Sequence, residues 1–144
     1  MKIVHTKDTM SAIYLESIAL RQEVFVQEQG VPMDIEIDRY EAECIHCLLY
    51  TDMNEAAATC RLLPLTDNQL KLQRMAVKKI YRGQHYGRLL IDNAELFAKQ
   101  QGYTSITLGA QVTALGFYEI LGYTITGEAF TEAGITHYPM SKNL

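Results

Sequence analysis

The sequence predicts a mixed α+β fold: a central, mostly antiparallel sheet with helices inserted between its strands, as one domain over residues 1–144. Three observations carry that prediction. Three β-rich runs follow one another in mid-chain, separated by short turn-forming stretches that suit antiparallel neighbours. Helical patterns interrupt the strands without strictly alternating with them. The composition, 48% hydrophobic and 21% charged over 144 residues, is ordinary for a globular chain with one core.

In chain order, Lys2 to His5 reads as a short strand. Asp8 or Thr9 then offers a helix cap, and Ile13, Ser17, Leu20 and Val24 recur at helical spacing, so a first helix is expected to about Val26. Gly30-Val31-Pro32 breaks it, and Asp34 to Glu43, with five carboxylates and little periodicity, reads as a loop or short helix. Strands are expected over His46 to Thr51 and Ala56 to Leu63, with a turn at Asp52-Met53-Asn54-Glu55. A second turn, Leu65 to Asn68, leads into a strand over Gln69 to Val77. The clearest helix spans Gly87 to Gln101: Leu90, Ala94 and Phe97 line one face, Lys99 suits the last turn, and Gly102 caps the end. Ser105 to Leu108 is a short buried strand, and Thr113 to Leu121 a short helix closed by Gly122. Tyr123 to Thr126 and Thr136 to Met140 then form a hairpin around Glu132-Ala133-Gly134. No internal repeat, low-complexity tract or linker interrupts this order.

Charge and cysteines bound the function. Thirteen basic against seventeen acidic side chains give a net charge of -4, so no general attraction to nucleic acid or an anionic membrane is expected. No run of eighteen apolar residues occurs, and the first ten residues lack the pattern of a secretion signal, which together predict a soluble, cytoplasmic protein. Cys44, Cys47 and Cys60 are too few and odd in number for a disulfide framework. Cys44-Ile45-His46-Cys47 spells a CxxC, but it falls on a strand and has no second ligand pair, so core-filling cysteines and no metal are expected. The carboxylate run is not a calcium loop, since its sixth position is Arg39 and its twelfth Ile45. It is either solvated surface or a lure for cationic amines. Arg21, Arg61 and Arg74 stand alone among apolar residues. They read either as two-pronged ligands for a substrate carboxylate or as structural ion pairs.

The segment richest in chemistry runs from Met75 to Leu90: a strand, a basic glycine-containing loop and a helix start. Unpaired N–H groups and the helix dipole favour an anion there, glycine permits close approach, and Arg82 and Arg88 add full charges. At this junction the chain resembles the GNAT acetyltransferase superfamily, whose Arg/Gln-x-x-Gly-x-Gly/Ala loop wraps the pyrophosphate of coenzyme A. Arg82, Gly83 and Gly87 follow that usage, and His85 stands where the pattern has its middle glycine. The likeness extends through Arg21 to Gln29, Glu36-Ile37-Asp38, His46, Leu108 to Gln111, Phe117-Tyr118, Leu121-Gly122-Tyr123 and Gly134 to His137. These motifs, in this order, look like the ElaA/YjcF-like subgroup and cover nearly the whole chain.

The resemblance implies that the strand ending at Val77 and the strand from Ser105 run parallel and splay apart, opening a wedge for acetyl-CoA. Met75, Ala76 and Val77 would then pair with the pantetheine arm, while Arg82, Gly83, Gln84, His85, Tyr86, Gly87 and Arg88 hold the diphosphate. On spacing alone Tyr118 reads first as a core residue of a short helix; the resemblance reverses that, since it matches the family's general acid. Many relatives carry a catalytic carboxylate on the strand that here reads Leu70 to Met75, and this chain has none there. Glu28 is the first choice for the base, followed by Asp38, His46 and His137. The acceptor pocket is expected to use Phe25, Glu28, Asp38, Arg74 and Gln111. The expected activity is acetyl transfer from acetyl-CoA to a primary amine, such as an amino acid or polyamine, in a ternary complex without a metal. An acyl-CoA-sensing module and an enzyme acting on protein N-termini or lysines are the competing classes. Relatives often form dimers, which leaves a homodimer open.

Overall fold

The computed structural model describes residues 1–144. Strands β1 (Lys2–Thr6), β2 (Ile45–Tyr50), β3 (Ala56–Pro64), β4 (Gln69–Val77), β5 (Ser105–Gln111), β6 (Thr124–Ile125), β7 (Phe130–Glu132) and β8 (Ile135–Asn143) form one sheet. Its order is β1-β2-β3-β4-β5-β8-β6, with β7 also on β8. Every pairing is antiparallel except β4 with β5. Four α-helices accompany it: α1 (Ala12–Arg21), α2 (Met33–Glu36), α3 (Tyr86–Gln100) and α4 (Leu115–Ile120). None is long and apolar enough to cross a membrane.

All six residues of β2 are buried, because the strand is covered on both faces. On one side Leu90, Ile91, Ala94 and Ala98 of α3 join Cys47, Leu49, Leu62, Leu70, Leu72 and Ile106 in the main core. On the other, Leu20 and Val24 pack with Leu48, Tyr50 and Ala76. Fully burying a leucine or isoleucine side chain contributes about 1.5–3 kcal/mol, so these layers clamp the sheet between helices. The three cysteines are buried thiols; desolvation pushes the Cys44 pKa up to about 11.

Most elements agree with the sequence reading, the strand Phe130–Glu132 being one it did not include, and the differences have physical causes. The first helix is capped by Ser11, whose hydroxyl accepts from the Tyr14 N–H at 3.2 Å. Asp8 instead holds the preceding turn, accepting from Met10 N–H at 2.8 Å. Beyond Arg21 the helix does not stop near Val26 but continues as a π-helix over Gln22–Glu28. Such widened turns re-aim side chains and leave the hydrophobic spacing almost unchanged, which hides them from a periodicity argument. The closing hairpin joins β7 to β8, and β6 pairs with the far end of the same strand, Thr124 facing Ser141.

The isolated arginines prove to be structural partners of the carboxylate run. Arg21, 1% exposed, bonds Glu36 Oε1 through Nε (2.6 Å) and Glu41 Oε1 through Nη1 (2.7 Å). Arg61, fully buried, bonds Asp38 Oδ2 through Nη2 (2.8 Å) and Glu41 through Nη1. Arg74 touches Glu36 and Asp38. Three guanidinium groups therefore face three carboxylates, tying residues 33–43 onto β3 and β4. The two-pronged contacts of Arg21 and Arg61 go to protein carboxylates, and Glu36 and Glu41 are neither surface nor lure. Burial works against the charge of Asp38 and Glu41, but hydrogen bonds from Arg61 and Arg21 respectively outweigh it and hold both carboxyls below the ordinary range.

Candidate active site

The site begins with a defect in β4. Arg61 faces Gln73 and Thr59 faces Ala76, so two β4 residues, Arg74 and Met75, oppose one residue of β3. Arg74 takes the left-handed conformation this requires, with φ +54°. A bulge bends its strand, and here the consequence falls on the other neighbour. β4 and β5 pair in parallel from Gln69↔Ser105 to Leu72↔Leu108 and then part, while β4 runs on to Val77 and β5 to Gln111. Met75 to Val77 thus have β3 on one side and no strand on the other.

A cavity of about 370 Å³ occupies the parting. Met75, Ala76 and Val77 form part of one wall, and Gly109 and Gln111 of β5 belong to another. Phe130 closes over Gly109, where even a Cβ would come within 2.8 Å of its ring. The π-helix supplies Val24 and Phe25, and its C-terminal neighbour Gln29 reaches across to Gln111. The two side-chain amides bond reciprocally, at 3.0 and 3.4 Å, closing one side of the cavity.

At the far end of β4 the cavity meets a second, of about 390 Å³, which shares Val77, Arg82 and Phe117 and is lined by the loop into α3. No backbone N–H from Gly83 to Arg88 donates to a protein carbonyl, and no side chain caps the helix. Six consecutive donors, ending on the positive pole of a fifteen-residue helix, are thus turned outward. His85 closes the loop by adopting φ +66°, a conformation costing a non-glycine residue about 1–2 kcal/mol. Gly87 is needed for space: a Cβ there would lie 3.2 Å from Met75 Cε, 3.3 Å from Val77 Cγ2 and 3.4 Å from Phe117 Cζ. Valine at this position is expected to push the helix start off β4, at about 1–3 kcal/mol of overpacking. Gly87→Val should therefore weaken coenzyme A binding about tenfold or more by calorimetric titration, with the circular dichroism of the fold retained. Unchanged affinity would show that this contact does not shape the loop.

The predicted site residues divide cleanly. Tyr118 on α4 lines the main cavity and is 6% exposed, with edge-to-face contacts to Phe117 and Tyr123. Its hydroxyl has no protein partner, and since Glu36 Oε2 is the one side-chain atom both sealed and unpartnered, Tyr118 Oη is not fully sealed. Desolvation raises its pKa well above that of a free phenol, keeping it protonated. Phe25, Arg74 and Gln111 line the cavity. Glu28 and Asp38 do not. Glu28 makes a two-pronged pair with Arg82, both contacts 2.9 Å, and Asp38 belongs to the arginine cluster.

Among the base candidates His137 is the one that lines the cavity. Its Nδ1–H donates to the Ile135 carbonyl at 2.8 Å, leaving Nε2 as an acceptor, and its ring stacks on Phe130 at 5.5 Å. His46 is buried, bonds the Glu41 carbonyl at 2.8 Å and is structural. Lys71, Gln73, Phe130 and Glu132 also line the cavity. Their only local signal is alternation along β4 and β7, which cannot say which face holds a cavity.

Comparison with known proteins agrees with this architecture. Residues 16–144 match the acetyltransferase (GNAT) domain family. The chain is similar to the uncharacterized N-acetyltransferase YjcF of Bacillus subtilis, 34% identical over 129 residues that span 89% of this chain and 91% of YjcF. It superimposes on the crystal structure of a candidate N-acetyltransferase of Lactobacillus plantarum with a TM-score of 0.93 and 35% identity, covering 99% of this chain and 97% of that one. Escherichia coli ElaA shares the fold, with a TM-score of 0.87 and 24% identity over 99% of both chains.

Proposed function

The chain belongs to the acetyltransferase (GNAT) family, and we propose that it moves the acetyl group of acetyl-CoA directly onto the primary amine of a small molecule held in the same cavity. The observation that carries this reading is the run of free amides from Gly83 to Arg88 opening beside the split between β4 and β5. Those amides and Arg88 take the diphosphate. Arg82 is already engaged by Glu28, and its Nε donates to the Val77 carbonyl at 3.0 Å, so its part is to shape the loop.

The pantetheine arm follows the unpaired edge of Met75 to Val77, where a backbone N–H meets the thioester oxygen. A donor placed on that developing oxyanion is worth ~3 kcal/mol in comparable sites. An alkyl ammonium, with an ordinary pKa of about 10.4, must lose a proton before it can attack. His137 Nε2, the free acceptor on the cavity wall, takes it directly or through water, the role first considered for Glu28. Nitrogen attacks the carbonyl carbon, the carbon–sulfur bond breaks, and Tyr118 Oη donates to the departing sulfur. The second amine proton passes through water to the Tyr118 oxygen as the amide forms and His137 gives the first to solvent, so the products are the N-acetyl amine, the coenzyme A thiol and one released proton.

The cavity favours a small acceptor. The Gln29–Gln111 pair, α2 and the β7–β8 hairpin flank it and narrow the room for an extended polypeptide, which supports a small acceptor. A panel of small primary amines, assayed for thiol release from acetyl-CoA beside a coenzyme A titration, tests the assignment. At least one small amine is expected to give equal amounts of thiol and N-acetylated product. Transfer to peptide N-termini or lysines alone would reassign the acceptor, and tight binding without transfer to anything would favour a sensor.

A further inference from the structure

Arg74 belongs to the ion cluster but is not used up by it. Its Nε donates to the Glu36 carbonyl at 3.0 Å, and its Nη2 to the Ile35 carbonyl at 3.2 Å and to Asp38 Oδ2 at 3.3 Å. Nη1 has no partner in the protein and is not among the sealed atoms, while the side chain is 17% exposed and lines the main cavity. One nitrogen of a guanidinium fixed through Nε and Nη2 is therefore left without a protein partner, on a residue that lines the acceptor space.

Two neighbours on β4 reinforce it. Lys71 lines the same cavity and enters no salt bridge. Gln73 accepts from Arg61 Nε through Oε1 at 3.1 Å, and its Nε2 has no protein partner. Against this row of donors the cavity wall offers little negative charge. Glu36 is 1% exposed and bonded to Arg21, and Glu132 sits on the exposed β7 turn. Burial, with Arg61 and Arg21 close by, holds the Arg74 pKa below its ordinary value against the opposing pull of Glu36 and Asp38.

We propose that the acceptor carries a carboxylate as well as its amine, and that Arg74 Nη1 and Lys71 Nζ hold this carboxylate while the amine faces the thioester. The inference rests on the small-amine reading above and narrows it: amino-acid-like molecules fit, whereas polyamines meet cations where they need anions. It also revises the two-pronged contact expected of Arg74, since one nitrogen alone is free. Cations around the bound amine further favour its neutral, attacking form.

Matched acceptors provide the test without altering the protein. The value of kcat/KM is measured for amino acids beside their decarboxylated counterparts, such as lysine against 1,5-diaminopentane and phenylalanine against 2-phenylethylamine, with spermidine included. A charged contact of this kind is expected to favour the carboxylate-bearing member of each pair about 10- to 100-fold. Lys71→Met, outside the buried cluster, should reduce that ratio about tenfold, mainly through KM for the acceptor, with KM for acetyl-CoA little changed. Equal or better use of the decarboxylated amines or spermidine would overturn the anionic acceptor and leave small-amine transfer standing. No thiol release with any small amine, despite coenzyme A binding, would remove both.

Discussion

Replacing Arg21 by methionine is expected to lower the unfolding free energy by about 3–5 kcal/mol, because it strands the buried Glu36 and takes from Glu41 one of its two cations, leaving it Arg61. Glu36 Oε1 would keep only Arg74, 3.5 Å away, and its Oε2 already has no partner. Much of the loss reflects the uncompensated charge left behind, not the worth of the original pair. Domains of ordinary stability hold about 5–15 kcal/mol, so the midpoint of urea unfolding should fall sharply. The pH dependence supplies a second reading. The Asp38 and Glu41 carboxyls sit below their unfolded pKa values, so their stabilisation is present above about pH 4 and is lost as pH falls through the folded values. Without Arg21, which supplies the leading hydrogen bond to Glu41, the variant should lose less on acidification than the parent. A stability within about 1 kcal/mol of the parent would mean that the cluster repairs itself around the gap.

Tyr118→Phe should lower kcat about 100-fold while changing coenzyme A affinity less than twofold. General acid catalysis typically contributes 10²- to 10⁴-fold, and the loss should lie near the lower bound because this hydroxyl is a weak acid held protonated by burial. Phenylalanine preserves the aromatic contacts to Phe117 and Tyr123, and no protein hydrogen bond is broken. Stability should therefore stay nearly constant, which separates the chemical role from a packing role. Since burial raises the Tyr118 pKa, a fall in rate between pH 7 and 9 would belong to another group. Steady-state kinetics with saturating acceptor give the answer; unchanged kcat would assign the sulfur's proton to solvent.

Much of the fold was legible because its signals are local. The turn at Asp52 to Glu55, the alternation along Gln69 to Val77 and the stripe through Leu90 and Ala94 each sit within a few residues and describe their own element. The π-helical turn at Gln22–Glu28 was not legible, since widening one turn barely disturbs a hydrophobic stripe that already includes Val24. Nor was the fate of Glu28, whose motif placed it near the acceptor pocket but whose partner, Arg82, lies 54 residues away.

By itself the sequence determined the order of the elements, the outward-facing amides before α3 and the family, because each depends on residues adjacent in the chain. The tertiary structure alone decided that Arg21 and Arg61 serve Glu36, Asp38 and Glu41, that Arg74 sits on a strand bulge with one nitrogen to spare, and that His137 of the four base candidates reaches the cavity. The reason is physical. A charged side chain acts according to the counter-charges and the dielectric around it, and those are set by strand register and helix packing between residues far apart in sequence.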